Sequence, residues 1–150
     1  LAQGGAGAPA SQPVVMPQSD LEWSAGPPAL PPGAQMAVLD GDPAQAGPFT
    51  VRLKLPANYR IPPHTHPADE HVTIVSGNLK VGMGRTFDAS KTTELGEDGY
   101  FSMPAGHQHY VLTSGETTVQ LHGTGPWGIT YVNPADDPRN TPRGRRPTRR

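Results

Sequence analysis

The heptapeptide FTVRLKL, residues 49–55, shows most directly which secondary structure this 150-residue chain adopts. Its odd-numbered positions are all apolar and its even-numbered positions are all polar. Successive side chains of a β-strand point to opposite faces, so this stretch would place one face in a core and the other in solvent. No long segment shows the 3.6-residue period of an amphipathic helix. The sequence therefore favours a strand here and an all-β fold.

Similar short runs continue on both sides of this heptapeptide. Apolar or alternating segments, separated by Gly, Pro, Asp and Asn, extend from residue 35 to about residue 132, which is typical of strands joined by turns. Their spacing of about ten residues indicates an antiparallel sandwich or barrel. The predicted strands are Gln35–Asp40, Phe49–Leu55, His71–Val75, Leu79–Met83, Tyr100–Met103, Tyr110–Thr113, Thr117–Leu121 and Ile129–Val132.

Glycine (18 residues) and proline (19 residues) are abundant enough to border on the composition of disordered chains. They are unevenly distributed, and the chain divides accordingly into three regions. Residues 1–34 form a Pro/Gly/Ala-rich arm, residues 35–134 a β-barrel domain, and residues 135–150 an Arg-rich tail. Within the barrel, turns account for many of the glycines and prolines.

Charge and composition exclude several classes of protein. The net charge is −1, and six of the twelve basic residues are arginines in the last twelve positions. No aromatic residue is interleaved with these arginines to stack on bases, so we expect no nucleic-acid partner. No stretch approaches the roughly 18 to 20 apolar residues of a membrane span, and the absence of Cys excludes disulfides and thiolate chemistry.

The first residues, Leu1-Ala2-Gln3, resemble the end of a secretory signal, in which an Ala-x-Ala site precedes cleavage. We therefore expect a periplasmic or secreted protein that follows a removed signal peptide. A cytoplasmic protein is the alternative.

Histidines mark the candidate chemistry, since all six lie between positions 64 and 122. His64, His66 and Glu70 share parity, so an extended backbone would direct all three to one face. A second group places His109 after a Pro/Gly turn, at the start of a predicted strand. Imidazole nitrogens with one carboxylate suit a borderline divalent ion such as Fe, Mn, Zn, Ni, Co or Cu.

These two groups resemble the two sequence motifs of the cupin superfamily. The first motif contains a His-x-His pair, a glutamate and a closing glycine, and the second contains Pro-x-Gly followed by a histidine. The matching residues are His64, His66, Glu70 and Gly77 for the first motif, and Pro104, Gly106 and His109 for the second. The ending TYVNPADDP, residues 130–138, is similar to that of small bacterial cupins, which are often exported.

Three positions depart from the cupin motifs. Asn58 stands where the first motif has its leading glycine, and Thr113 replaces the final asparagine of the second. Only four rather than five residues separate Gly99 from Pro104. All three are turn or strand-end positions.

The resemblance implies a single-domain cupin, a small antiparallel β-barrel of the jelly-roll type also called a double-stranded β-helix, with an extended N-terminal arm. It implies one divalent ion bound by His64, His66, Glu70 and His109, and a homodimer. Three neutral nitrogens and one carboxylate would leave a net charge of +1 and open positions for water, substrate or dioxygen. No organic cofactor site is expected.

Three other histidines and one tyrosine lie near the predicted ligands. His71 should face away from the site unless a bulge makes it the ligand in place of Glu70, and His107 should lie at the pocket rim. His122, if it faces the barrel, and Tyr131 are the candidates for moving a proton during catalysis.

We expect a metal-dependent enzyme that acts on a small oxygen-rich or carbonyl-containing molecule, as an oxygenase, decarboxylase, isomerase or lyase. Dioxygenase-like oxidoreduction is favoured, although a fold alone does not select a reaction. The alternatives are a non-catalytic protein that binds a small ligand or the metal itself, and an assembly module that uses the N-terminal arm.

Overall fold

The computed structural model describes residues 12–140, and within this range it contains eleven β-strands and no α-helix. No helix of these residues is long and apolar enough to span a membrane. Single 3-10 turns occupy Gln18–Asp20, Pro134–Asp136 and Pro138–Asn140. The strands are β1 (Ser24–Ala25), β2 (Gln35–Asp40), β3 (Gly47–Leu55), β4 (Arg60–Thr65), β5 (Glu70–Ser76), β6 (Leu79–Met83), β7 (Thr93–Leu95), β8 (Tyr100–Met103), β9 (His109–Thr113), β10 (Thr117–Gly125) and β11 (Thr130–Tyr131).

The strands form two sheets, and every pairing is antiparallel. Sheet A has the order β1-β2-β3-β10-β5-β8, and sheet B has the order β11-β4-β9-β6-β7. One face of each sheet contributes to a shared apolar core, as expected of a sandwich or barrel. The predicted all-β jelly-roll fold is therefore confirmed.

Strand β3 shows how the sequence pattern produces this arrangement. Along residues 49–55 the odd positions are buried and the even positions are partly exposed, as the alternation predicts. Its inward side chains include Val51 and Leu53, while Arg52 on the other face bonds Gln120 of β10 at 2.9 Å. The heptapeptide therefore lies in the middle of sheet A, between β2 and β10.

Three strands, β1, β4 and β7, are absent from the sequence prediction. The sequence of β4 includes Pro62 and Pro63, and proline is unusual inside a strand because it has no N–H to donate. The structure accommodates both prolines at an irregularity in the pairing with β9, between Ile61 and His64. The other two missed strands are only two and three residues long.

The N-terminal arm packs against the barrel from residue 23 onwards. Trp23 lies under the ammonium group of Lys54, with Nζ 4.3 Å from the ring centre, and β1 extends sheet A through its pairing with β2. Ala29 and Leu30 are buried in the core. Residues 1–11 of the arm and residues 141–150 of the Arg-rich tail lie outside the described part of the chain.

Two departures from the cupin motifs have a conformational explanation. Asn58 has φ 57°, in the left-handed region that glycine occupies most readily. Asp98, with five residues between it and Pro104, has φ 74°. Asn and Asp are the other residues that enter this region at low cost, so the chain keeps the backbone of both turns without the glycines.

The third departure, Thr113, connects the end of β9 with the turn that precedes β4. Its hydroxyl donates to the carbonyl of Pro56 at 2.6 Å and accepts from the backbone N–H of Tyr59 at 2.9 Å. The side chain is buried, so both bonds are shielded from water. Thr113 therefore fixes the turn that leads into β4.

Candidate metal centre

Three buried histidines converge at one end of the barrel. His64, near the end of β4, lies opposite His109, the first residue of β9. His66 follows β4 directly. One ring nitrogen from each histidine lies within 4.8 Å of the others, close enough for a single metal ion to contact all three.

Glu70 completes the cluster from the other sheet. It is the first residue of β5 in sheet A, whereas His64 and His109 belong to sheet B. Its carboxylate oxygens lie 3.1 Å from Nε2 of His66 and 3.3 Å from Nε2 of His109. The site therefore bridges the two sheets, and the structure brings together all four residues predicted as ligands.

Each histidine is held by a backbone carbonyl. Nδ1 of His64 lies 2.7 Å from the Pro62 carbonyl, that of His66 2.7 Å from the Gly128 carbonyl, and that of His109 2.9 Å from the His107 carbonyl. A carbonyl oxygen only accepts, so Nδ1 carries the proton in each ring. The Nε2 lone pairs are thereby directed to the centre of the cluster, as in metal-binding histidines.

The donor set fits a divalent cation. Nε2 of His66 and Nε2 of His109 are buried and have no aligned hydrogen-bond partner among residues 12–140. Both nitrogens face the Glu70 carboxylate, so hydrogen-bond acceptors lie opposite each other. A positive charge between them would stabilise this arrangement. Nitrogen and carboxylate ligands together suit Zn, Fe, Mn, Ni, Co or Cu.

Proton affinities in the cluster are consistent with cation binding. Burial, with His109 and His66 nearby, lowers the pKa of His64 to about 3, so this ring is neutral and can ligate at neutral pH. Burial alone would raise the pKa of Glu70, but His109 and His66 outweigh burial and hold it well below its usual range. Burial opposes a positive charge on His66, but the Glu70 carboxylate beside it prevails and raises the pKa of His66, so this carboxylate favours a cation at Nε2, whether a proton or a metal ion.

The turn before His109 is tied to the loop between His66 and Glu70. The backbone N–H of Gly106 donates to the His66 carbonyl at 3.0 Å. The N–H of Ala105 donates to the Asp69 carboxylate at 2.9 Å. These two bonds couple the two motifs, so the histidine of the second motif is positioned by the loop of the first.

His71 and His122 lie on the outer face of sheet A. They are directly paired across β5 and β10, and their rings stack with centres 4.9 Å apart. His122 is exposed, and Nδ1 of His71 lies 2.9 Å from the Tyr100 hydroxyl. The structure therefore supports Glu70 rather than His71 beside the other ligands. A proton-transfer role for His122 required it to face the barrel, and this placement does not fit that role.

Tyr131 is buried near the cluster, with its ring centre 6.0 Å from that of His64. Its hydroxyl donates to the Ala29 carbonyl at 2.6 Å, and the Tyr59 hydroxyl likewise donates to the Pro31 carbonyl. Burial raises the pKa of Tyr131, so its proton is held firmly. The geometry gives Tyr131 a structural contact with the arm, and its part in proton transfer stays a prediction. His107 is exposed, in agreement with a position outside the cluster.

A small cavity of about 40 Å³ surrounds the four predicted ligands inside the barrel. A cavity needs roughly 10–15 Å³ to hold one water molecule, so this space takes an ion with one or two small ligand atoms. Its remaining walls are almost entirely apolar, and they include Ile61, Val72 and Phe101. Such walls exclude bulk water and strengthen electrostatic interactions at the centre.

The sequence did not indicate the part that residues 127 and 128 play in the site. The Gly128 carbonyl orients His66, and the ring of Trp127 lies 5.7 Å from that of His66. A backbone acceptor leaves no mark on the residue type, so no sequence signal identified Gly128.

Comparisons with known proteins agree with this architecture. Residues 11–128 match the family model described as the ChrR cupin-like domain. A search of curated proteins found no match.

Solved structures with similar folds include the following three proteins. The polyketide cyclase RemF from Streptomyces resistomycificus is 15% identical, with a TM-score of 0.66 over 85% of this chain and 90% of that one. A putative acetylacetone dioxygenase from Methylibium petroleiphilum is 18% identical, with a TM-score of 0.62 over 92% and 90% of the two chains. KdgF from Halomonas sp. is 14% identical, with a TM-score of 0.58 over 76% and 96%.

These likenesses, at under 25% identity, concern the fold alone, whereas the family model covers most of the chain. The all-β barrel, the convergent histidines and the family match lead to one assignment. The chain belongs to the ChrR cupin-like family of the cupin superfamily.

Proposed function

We propose that this protein is a metal-dependent enzyme that acts on a small carbonyl-containing or oxygen-rich molecule, with dioxygenase chemistry favoured over isomerase or lyase chemistry. The observation that carries the proposal is the convergence of three buried imidazole lone pairs and one carboxylate inside an apolar barrel. One divalent metal ion would be held by His64, His66, Glu70 and His109.

A metal ion in such a site supplies Lewis-acid polarisation of a bound oxygen atom and, if it is Fe, Mn or Cu, one-electron redox chemistry. The protein's own residues provide the conditions. Backbone carbonyls hold the proton of each ring on Nδ1, which directs Nε2 of all three histidines to the centre of the cluster. Apolar walls limit water around the bound molecule.

Two proteins with similar folds support the preference for dioxygenase chemistry, although the similarity concerns the fold alone. One neighbour is named as a putative acetylacetone dioxygenase. An oxalate oxidase, 21% identical with a TM-score of 0.52, is another. Both names describe oxidation of small molecules rich in oxygen atoms, and the cyclase RemF shows that the fold also accommodates other reactions.

The first experiment is elemental analysis of protein purified without a His tag. We expect about one divalent metal ion per chain. Dioxygen uptake with a panel of diketones, catechols and hydroxy acids then identifies the reaction, because a dioxygenase consumes one dioxygen per substrate.

Two matched variants make this experiment decisive. His109→Ala removes a buried predicted ligand, whereas His107→Ala changes an exposed histidine of the same turn. We expect metal content and uptake to be lost in the first and retained in the second. Equal metal content in the two variants, or no stoichiometric metal in either variant or in the parent protein, would overturn the proposal.

The small size of the central cavity favours a second candidate, a non-catalytic protein that binds the metal or a small ligand on it. About 40 Å³ around the ligands suffices for the ion and one or two small atoms. Stoichiometric, tightly held metal, with no substrate of the panel consumed or altered under air or nitrogen, would favour this candidate over the enzyme.

The predicted homodimer, the assembly role of the arm and the export of the protein stay predictions. Val14 and Val15 of the arm are 50% and 84% exposed, which is consistent with a contact to a second subunit. Mass in solution, with and without residues 1–33, tests the dimer. An unchanged monomer would count against both the dimer and the assembly role.

A further inference from the structure

A second and larger cavity, of about 280 Å³, adjoins the metal cavity. We call it the arm chamber, because residues of the N-terminal arm form one of its walls. Its volume is close to the lower limit of about 300 Å³ for small-molecule sites. The residues that line it include Pro27, Met36, Pro43, Phe49, Val51 and Trp127.

The arm chamber and the metal cavity share part of their lining. Four side chains contribute to both cavities, namely Leu30, Leu53, Leu121 and Trp127. A molecule with one end in the metal cavity would therefore have apolar side chains, rather than water, on its way to the arm chamber.

The arm chamber offers no free charge to a ligand. Arg139 is the only charged residue that lines it within residues 12–140. Its guanidinium is already bound at 2.9 Å to the Asp137 carboxylate and at 2.9 Å to the Ile129 carbonyl. Apolar walls without an available cation disfavour carboxylates, phosphates and sugars, since their polar groups would lose water without compensation.

Trp127, whose side chain lines both cavities, carries a hydrogen-bond donor. Its indole N–H is buried and has no acceptor among the described residues, 12–140. A buried donor without an acceptor is destabilising, because it has lost its hydrogen bonds to water. An acceptor oxygen on a bound molecule would satisfy this donor, so the site would favour molecules that carry such an oxygen.

We propose that the arm chamber holds the apolar part of the substrate, and that the Trp127 indole N–H donates to a carbonyl oxygen of the substrate adjacent to this apolar part. The substrate class is then an uncharged ketone or diketone that carries an aromatic or branched alkyl group. This inference rests on the proposed function, because the metal cavity must receive the polar end of the same molecule.

The experiment compares two probes, pentane-2,4-dione and 1-phenylbutane-1,3-dione, by calorimetric titration of the zinc-loaded protein. Zinc has no redox chemistry, so the probes are not oxidised during the titration. Each buried CH₂-sized group contributes roughly 0.8 kcal/mol, so we expect the phenyl probe to bind at least about 10-fold more tightly.

Three variants locate the effect. Met36→Trp fills the arm chamber without touching the metal cavity, because Met36 lines only the former. It should abolish the preference for the phenyl probe and leave zinc binding unchanged. Met83→Trp is the matched control at a 53% exposed position and should change neither. Trp127→Phe removes the N–H but keeps a ring, and it should weaken both probes by about 3- to 10-fold.

Met36→Phe serves as the smaller change if Met36→Trp does not fold. Equal affinities for the two probes, or a phenyl preference that survives filling of the arm chamber, would overturn the inference while leaving the metal site intact. If no variant and no parent protein binds zinc, the proposed function fails instead. Acetophenone binding to the metal-free protein, followed by ligand-detected NMR, then still tests the arm chamber, since Met36→Trp should abolish it and Met83→Trp should not.

Discussion

Replacing Glu70 by glutamine tests whether the carboxylate that joins the two sheets is a metal ligand. The substitution preserves the shape of a buried side chain whose oxygens lie 3.1 and 3.3 Å from two imidazole nitrogens. It removes the only negative charge in the cluster. We therefore expect the fold to persist and the affinity for a divalent metal to fall.

The size of the effect follows from linkage. A metal present at 1,000 times its Kd stabilises the native protein by about 4.1 kcal/mol, which for a chain of this length raises Tm by roughly 8–16 °C. Loss of an outer partner of a metal ligand costs about 10- to 100-fold in affinity, so loss of the ligand itself should reach at least the upper value. At the same metal concentration the stabilisation would then be about 1.4 kcal/mol, or roughly 3–6 °C.

The assay is thermal unfolding of the metal-free protein with and without added metal, followed by circular dichroism. His71→Gln is the matched control, because His71 is adjacent in sequence but lies on the outer face of sheet A. It should keep the full metal-induced rise in Tm. A full rise in Glu70→Gln, with a lost rise in His71→Gln, would show that a rearranged β5 presents the histidine as ligand and would refute our assignment.

Three further predictions follow from single residues. Asn58→Gly should change the free energy of unfolding by no more than a few tenths of a kcal/mol. Asn58→Val should lower it by about 1–2 kcal/mol, because a left-handed backbone disfavours a branched side chain. Denaturant titration measures both changes. Tyr131→Phe removes the hydrogen bond to the Ala29 carbonyl, so it should cost about 1 kcal/mol and speed proteolysis within the arm, with metal content unchanged. If the variant instead lost turnover at unchanged stability, that result would support a role for Tyr131 in proton transfer. His122→Gln should keep metal content and turnover, and a large loss of either would contradict its placement on the outer face of the barrel.

The sequence predicted the features that depend on local periodicity and on spacing. Alternation placed β3, because a strand directs every second side chain to the same face. The parity of His64, His66 and Glu70 also led to the right cluster, although Glu70 joins it from β5 of the other sheet rather than along one extended strand. It also indicated that His71 would face away from the site. These inferences needed no knowledge of distant contacts.

The features that it missed depend on contacts between distant segments. The two prolines of β4 argued against a strand, and only the irregular pairing with β9 explains why they are tolerated. His122 was assigned to proton transfer on the condition that it face the barrel, and the register of β10 against β5 decides otherwise. The hydrogen bond between the His66 ring and the Gly128 carbonyl joins residues 62 positions apart, and the type of residue 128 cannot reveal it.

The hydrogen bonds from Tyr59 and Tyr131 anchor the arm to the barrel without using the arm's side chains or the predicted metal ligands. The acceptors are backbone carbonyls of Pro31 and Ala29, so the arm can change its side chains and still be anchored to the barrel. The metal ligands lie on strands and a loop that do not include the arm. If the arm chamber binds substrate as proposed, substitutions at Pro27 or Pro28 would alter which molecules fit and would leave the predicted metal ligands in place.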